Sequence, residues 1–176
     1  FTFIIAVPHV CLLIGLEKDI LDPYCDIYSR EYAKIFHKIF KYSKIVLSKN
    51  LRSQCDNNRI LCRGTSMRKR LREYILKDST SFILEIHTFT HGRDFHLDYN
   101  PDIIILDIKL NKYSKLLFNH LKDKNINVEI IQGSIKNDIQ IEIHELKSKG
   151  VLLEFRRDLN YKKVKDISKI IYNFFN

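Results

Sequence analysis

Residues that can bind metals or transfer protons stand where apolar stretches of the sequence end. Histidines follow two such stretches, at His9 and His87, and Glu154 lies within a third. Arg52 and Arg59 belong to a polar stretch that follows a fourth. Two histidines, a carboxylate and arginines are the ingredients of a metal-dependent hydrolase, because zinc with three protein ligands lowers the pKa of its water to about 7.

Alternating strands and helices must position these residues. Short runs of β-branched and apolar residues predict strands, and apolar residues at three- and four-residue steps predict helices. The predicted strands are 2–7, 44–48, 81–86, 102–108, 127–132, 139–143 and 151–155. The predicted helices are 24–42, 66–77, 113–124 and 164–175.

This order of elements predicts an α/β fold. We expect a three-layer α/β/α sandwich around a mostly parallel or mixed sheet, of the phosphorylase/hydrolase-like kind. The chain has 176 residues, with no internal repeat or linker, so residues 1–176 are expected to form a single domain. Ligands of such folds gather beyond the carboxyl ends of the strands, where the residues above lie.

The formal net charge of +9 raises the expectation of an anionic partner. Nucleic acid, an acidic membrane and a small carboxylate are the candidates. The densest basic cluster is Arg68-Lys69-Arg70 with Arg72, in a predicted helix. We interpret it as a solvated helix face, with a nucleic-acid patch as the second interpretation.

The four cysteines form no CxxC pair, which argues against a structural zinc knuckle. We expect free thiols in a reducing compartment, with one disulfide as the alternative. They are Cys11, Cys25, Cys55 and Cys62.

The apolar start of the chain, residues 1–16, is interrupted by Pro8 and His9 and is too short to span a bilayer. It lacks the basic leader and cleavage site of a signal peptide. We therefore expect a cytoplasmic protein without a membrane partner. Because the sequence opens on Phe1, we also expect a fragment or a chain without its first residue.

Short motifs at the predicted element ends resemble those of the N-formylglutamate amidohydrolase family, which is related to the zinc carboxypeptidase and aspartoacylase folds. The family has a Pro-His-x-Gly turn, an Asp at a helix head, an Asp-x-Asn-Arg loop, an Asp-x-His-Ser/Thr strand end and a Gln-x-Glu strand. The matching segments, in the same order, are PHVC (8–11), LDPYCD (21–26), DNNR (56–59), EIHT (85–88) and LLE (152–154). Cys11 stands where the family has glycine, and Leu152 where it has glutamine.

The resemblance implies a site for one zinc ion. His9 and His87 would be ligands, since neutral imidazole suits zinc. A carboxylate at the helix head would be the third ligand, with Asp26 favoured and Asp22 as the alternative. From the residues alone, capping of the helix is an equal interpretation of these two aspartates.

The resemblance also implies catalytic and substrate-binding roles. Glu154 would be the general base that takes a proton from the water and passes it to the leaving amine. Arg59, with Asn58 beside it, would bind a substrate carboxylate or stabilise the oxyanion. Arg52 is a weaker candidate for the same anion. Arg156 is either a further substrate-binding residue or the ion-pair partner of Glu154 on one strand face.

Other polar residues near these motifs have two interpretations each. Glu85 shares a strand face with His87, and it either orients that histidine or pairs with a lysine. His91 either lies near the substrate or belongs to an exposed loop. The remaining histidines are expected to be structural or surface residues: His37, His96, His120 and His144.

We therefore predict a zinc-dependent amidohydrolase that cleaves a small N-acyl amino acid, similar to N-formylglutamate, or a peptide-like amide. Its substrate is expected to be acidic or to bear a carboxylate. The alternative from another class is a non-catalytic basic α/β module, a degenerate hydrolase fold that binds nucleic acid or another polyanion. A third possibility is a peptidase that acts on acidic cell-wall or protein substrates.

Overall fold

A computed structural model of the chain describes residues 1–10, 25–49, 52, 54–109, 111–133 and 137–176. The strands of these parts are β1 (Thr2–Val7), β2 (Lys44–Leu47), β3 (Ser81–Phe89), β4 (Ile103–Asp107), β5 (Val128–Gln132) and β6 (Lys149–Arg156). The α-helices are α1 (Ser29–Ile39), α2 (Ser66–Lys77), α3 (Lys112–Asp123), α4 (Asp138–Glu145) and α5 (Tyr161–Phe175). Short 3-10 turns occupy Ile60–Cys62 and Gly92–Phe95.

The strands form a mixed sheet in the order β2-β1-β3-β6-β4-β5. All neighbours are parallel except β4 and β6, which are antiparallel. The carboxyl ends of β1, β2, β3 and β6 therefore share one edge of the sheet with the beginnings of β4 and β5. The predicted mostly parallel or mixed sheet is confirmed, and this edge is where the candidate residues gather.

Helices cover both faces of the sheet, because its central strands are apolar on both sides. On one face α1, α3 and α5 pack on alternate strand residues such as Ile5 and Leu84. On the other face α2 and α4 pack on the intervening residues, such as Ile4 and Ile83. Side chains of Thr65, Asn111 and Asn160 accept backbone N–H groups at the starts of α2, α3 and α5. The predicted α/β/α sandwich is confirmed.

The prediction of an edge strand over residues 139–143 is wrong, because these residues form α4. Ile139 and Ile143, four residues apart, both lie in the core beneath the helix. The intervening Gln140 and Glu142 are also buried, and both have polar partners. Buried polar residues next to buried apolar ones gave an alternating pattern that is typical of a strand.

A buried ion-pair cluster joins α2 to α4, so the predicted solvated face holds for the exposed Lys69 and Arg70 but is wrong for Arg68. The Arg68 side chain is 0% exposed. It donates to carboxylate oxygens of Asp138 at 2.8 Å and Glu142 at 2.9 Å, and to the carbonyl oxygen of Asn57 at 2.6 Å. Arg72 also donates to Glu142, at 2.8 Å. Two of the four cations of the segment are thus bonded within the protein, and binding of a polyanion stays a prediction.

The prediction of free thiols is wrong for the described cysteines. Cys55 and Cys62 form a disulfide around the 3-10 turn, and Cys25 is disulfide-bonded as well. Disulfides persist mainly in oxidising compartments. The cysteines therefore do not support a cytoplasmic location, which stays a prediction.

None of the helices in the described parts of the chain is both long enough and apolar enough to cross a membrane.

Candidate active site

A cleft of about 340 Å³ opens at the edge of the sheet where β1, β2, β3 and β6 end. Residues that follow or end these strands line it, together with the turn before β4. They include His9, Asp26, Arg52, Asn58, Arg59, His87, Phe89, Phe95, Leu152 and Glu154. The cleft therefore brings together most of the residues that the sequence singled out.

Three of these residues converge on one point and can share a metal ion. The Nδ1 atoms of His9 and His87 lie 3.2 and 2.7 Å from Oδ2 of Asp26. One ligand atom from each residue can be chosen so that all lie within 4.8 Å of one another. β1 and β3 are parallel neighbours, which brings the histidines together, and the Asp26 N–H donates to the His9 carbonyl at 3.0 Å. We call His9, Asp26 and His87 the triad.

A carboxylate lies against the far side of each triad histidine. Nε2 of His9 is 2.7 Å from Asp56 Oδ1, and Nε2 of His87 is 2.8 Å from Glu85 Oε1. Such a carboxylate keeps a proton on Nε2 and leaves the Nδ1 lone pair for a metal. Two imidazole nitrogens and one carboxylate oxygen are a ligand set that catalytic zinc uses. These residues therefore fit a zinc ion, both in the atoms that converge on one point and in the carboxylates that orient the two histidines.

Glu85 is itself held by a residue of α4. Gln140 Nε2 donates to Glu85 Oε2 at 2.8 Å, and both side chains are almost completely buried. Burial alone would raise the pKa of Glu85, but the hydrogen bond from His87, its charge and the hydrogen bond from Gln140 outweigh burial and lower it. Glu85 is thus an anion held between His87 of the triad and Gln140 of α4.

Neighbouring charges and hydrogen bonds shift the pKa values of His87 and Asp26 in the triad. Burial would lower the pKa of His87, but the charge of Glu154 and the hydrogen bonds to Asp26 and Glu85 raise it well above its usual 6.5. Burial would raise the pKa of Asp26, but the hydrogen bonds from His87 and His9 lower it overall. A cation bound between the histidines would take the place of the Nδ1 proton of His87, so metal binding should release protons.

Glu154 faces the triad from β6. It pairs in register with His87 and lines the cleft. Burial raises its pKa to about 7, with a further contribution from the negative charge of Asp26 and an opposing one from His87. A carboxyl group with a pKa near 7 can both accept and return a proton at neutral pH.

This raised pKa predicts a pH-dependent penalty in metal-free protein. The folded-state pKa of Glu154 lies near 7, above its ordinary 4.5, so stability is lost as pH rises from about 4.5 to 7 and the penalty is complete above 7. Glu154→Gln should therefore stabilise the chelator-treated protein by about 1–3 kcal/mol at pH 8 and by little at pH 4.5. Urea unfolding at both pH values checks this, and an equal gain at both would contradict it.

The loop after β2 brings an amide and two guanidinium groups beside the triad. Asp56 Oδ1 accepts the backbone N–H of Asn58 at 2.8 Å, so Asp56 fixes the loop as well as His9. The Asn58 amide nitrogen lies 3.3 Å from His87 Nε2. Arg52 and Arg59 each lie 3.5 Å from Asp56 and are 30% and 44% exposed. Both guanidinium groups line the cleft, where an anion can reach them.

Two predicted residues lie elsewhere. Arg156 contacts Asp158 at 2.6 Å and Asp102 at 3.4 Å, and it does not line the cleft. It is therefore neither beside the substrate cleft nor the partner of Glu154. His91 is exposed at the start of the 3-10 turn, outside the cleft. Asp22, the alternative metal ligand, lies outside the described residues.

Three features of the site were missed from the sequence. The sequence predicts no role for Asp56 beyond its motif, places Gln140 in a strand and indicates no role for Phe89 and Phe95. Asp56 lies beside Asn58 and Arg59 in a polar loop, which was a usable signal. Nothing local predicts the contact between Gln140 and Glu85, which are 55 residues apart.

The fold of this chain is similar to that of several solved structures. No protein-family model matches the chain, and no curated protein matches it. Solved structures do, including the gene product Atu2144 from Agrobacterium tumefaciens, with a TM-score of 0.74, 16% identity, and coverage of 98% of this chain and 88% of that chain.

Two hydrolases share the same architecture. N-formylglutamate amidohydrolase from Ralstonia eutropha JMP134 matches with a TM-score of 0.64 and 10% identity, over 98% of this chain and 93% of that one. A bacteriophage poly-gamma-glutamate hydrolase matches with a TM-score of 0.58 and 14% identity, over 99% and 83%. The chain thus has the α/β fold of N-formylglutamate amidohydrolase, as the motifs predicted.

Proposed function

We propose that the protein is a zinc-dependent amidohydrolase that acts on a small N-acyl amino acid or a peptide-like amide. The observation that carries this is the triad with a carboxylate behind each histidine and Glu154 facing it. A bound zinc ion would supply a water of lowered pKa and polarise the amide carbonyl. The named hydrolases of the same fold support the reaction class.

In the proposed hydrolysis, different residues of the cleft transfer the proton and bind the substrate. Glu154 takes a proton from the attacking water and delivers it to the leaving nitrogen, which its pKa near 7 permits at neutral pH. The Asn58 amide and the Arg59 guanidinium come from the loop after β2 and line the same cleft, where they bind an anionic part of the substrate. Arg52, which also contacts Asp26 at 3.3 Å, adds positive charge there.

We propose a substrate with a carboxylate because two arginines line the cleft. Arginine binds a carboxylate through two parallel hydrogen bonds, which fixes both its position and its orientation. The two hydrolases above are named for glutamate-derived compounds, N-formylglutamate and poly-gamma-glutamate. An acylated glutamate is therefore the first substrate to test.

The test is zinc content together with hydrolysis. We expect purified protein to bind one zinc per chain and to release amine from N-formyl-L-glutamate or a related amide, with activity lost on chelation and restored by zinc. The His9→Ala/His87→Ala double variant should lose both zinc and activity. His91→Ala, an exposed histidine outside the cleft, is the control and should keep both. Wild-type protein without stoichiometric zinc would end the proposal.

Removal of an outer carboxylate should weaken the metal site without abolishing it. Glu85→Gln keeps the size of the side chain but removes the charge that holds His87, so we expect zinc affinity to fall about 10–100-fold. Competition with a chromophoric chelator measures this. Glu73→Gln, at an exposed position on α2, is the control. Equal affinity in the Glu85 variant and the wild type would show that Glu85 does not orient the ligand.

A further inference from the structure

The cleft is lined by both cationic and apolar side chains. Arg52 and Arg59 come from the loop after β2, where Arg52 contacts Asp26 at 3.3 Å and Arg59 contacts Asp56 at 3.5 Å. Toward β4 the cleft is lined by the half-buried Phe95 in the turn before β4, which packs against the buried Phe89 and Leu152, and by the polar residues Thr90 and Asp94. In the strand order, His9 after β1, His87 on β3 and Glu154 on β6 lie between β2 and β4. A substrate that spans the cleft therefore meets guanidinium groups from the loop after β2 and the Phe95 ring in the turn before β4.

The apolar residues in this part of the cleft pack against one another and against the sheet. We call Phe89, Phe95 and Leu152 the apolar wall. The rings of Phe89 and Phe95 meet edge to face, with centroids 5.6 Å apart. Phe89 and Leu152 are buried in one cluster with Ile104 and Leu106 of β4, and Phe95 packs against it half-buried. The wall is thus anchored on the sheet, and no helix of the described residues covers it.

We propose that the cleft takes an N-acyl amino acid whose acyl group is apolar and larger than formyl. The amino-acid carboxylate lies at the arginines and the acyl chain lies on the apolar wall. This orientation depends on the proposed amide hydrolysis, in which the C–N bond breaks, the water oxygen bonds to the acyl carbon and a proton goes to the amine. Phe95, the partly exposed member of the wall, is then the residue that determines acyl specificity.

The expected preference for larger acyl groups over formyl follows from the apolar surface that they bury. Each methylene moved from water onto an apolar surface is worth about a fourfold gain in binding. A formyl group has no carbon beyond its carbonyl and leaves the Phe95 ring in contact with water. Butanoyl and phenylacetyl groups extend past the carbonyl and can cover it, so they should be preferred by about tenfold or more.

The experiment compares four substrates that share one carboxylate-bearing half. N-formyl-, N-acetyl-, N-butanoyl- and N-phenylacetyl-L-glutamate are tested for kcat/KM with the zinc-loaded protein and for calorimetric binding to chelator-treated protein. We expect both values to rise along the series by about tenfold or more. Phe95→Ser should remove most of this rise. Leu97→Ser is the matched control, since Leu97 packs on the same cluster outside the cleft.

The outcomes separate this inference from the proposed function. Hydrolysis of all four compounds without a preference for the larger acyl groups overturns the inference and leaves the amidohydrolase in place. A binding preference that depends on Phe95, without hydrolysis of any compound, supports the inference about the ligand and overturns the amidohydrolase. If no compound binds and none is hydrolysed, both the inference and the proposed function are overturned. The series on wild-type protein decides even where Phe95→Ser does not fold.

Discussion

Replacement of Glu154 by glutamine is expected to lower kcat by about 10²–10⁴-fold, because general acid–base catalysis contributes that much and glutamine cannot accept a proton. Glu154 pairs in register with His87 and lines the cleft, so the change removes the basic group that faces the triad. Glutamine has nearly the same shape, and Glu154 is not part of the triad. We therefore expect KM and zinc content to change little.

The pH dependence gives a second readout of the same role. A general base must be ionised, so the wild-type rate should fall as pH drops through the pKa of Glu154. That pKa is about 7, and the charge of bound zinc would move it lower, so the acid limb should lie at or below pH 7. The glutamine variant should lack this limb in its residual activity.

A glutamate outside the site controls for the loss of a negative charge. Glu31→Gln, at an exposed position on α1, should leave kcat within twofold of the wild type. Steady-state kinetics and metal analysis on all three proteins complete the test. A Glu154 variant that keeps kcat within about fivefold would remove Glu154 from the mechanism, since the expected loss is at least about 100-fold.

The parts of the fold that the sequence predicted well are those with a simple burial pattern. β1 and α2 have the predicted bounds, because Pro8 ends the first and Thr65 caps the second. α4 was missed because its polar residues are buried with partners from α2 and β3, over 50 residues away. Patterns of hydrophobicity assign polar residues to solvent, so they fail where ion pairs form part of the interior.

The site was predictable to the extent that its residues follow strands. His9 follows β1, and His87 lies two residues before the end of the neighbouring parallel strand β3, so topology brings them together. Arg156 shows the limit of that reasoning. It lies on the strand face of Glu154, but β6 ends there and the aspartates that flank the strand ends bind it instead. Side-chain pairing at a strand end depends on loops whose paths the sequence does not reveal.

Replacement of Arg68 by methionine is expected to cost about 3–5 kcal/mol of unfolding free energy, the loss that follows removal of one partner from a buried ion pair. Arg68 is completely buried and bonds to both Asp138 and Glu142 of α4. Methionine fills the space, but the buried carboxylates of Asp138 and Glu142 each lose one ion-pair partner. At about 2–4 °C per kcal/mol for a chain of this size, the melting temperature should fall by about 6–20 °C.

Arg70→Met is the matched control, because Arg70 is exposed on the same helix and should change stability by no more than about 0.5 kcal/mol. Arg68→Lys should recover only part of the loss, since one ammonium group cannot reproduce the guanidinium contacts with Asp138, Glu142 and the Asn57 carbonyl. Chemical denaturation of the three variants at pH 7 measures the differences. An Arg68→Met protein as stable as Arg70→Met would mean that α4 is held by its apolar residues alone.

The same variant tests whether the ion-pair cluster also supports the metal site. Arg68 bonds to the Asn57 carbonyl, and Asn57 stands between Asp56 and Asn58 of the cleft. Asn57 also donates to the Pro8 carbonyl at 3.2 Å, next to His9. Loss of Arg68 should therefore lower zinc affinity in protein that is still folded, whereas Arg70→Met should not. Unchanged zinc affinity in folded Arg68→Met would confine the cluster to holding α4.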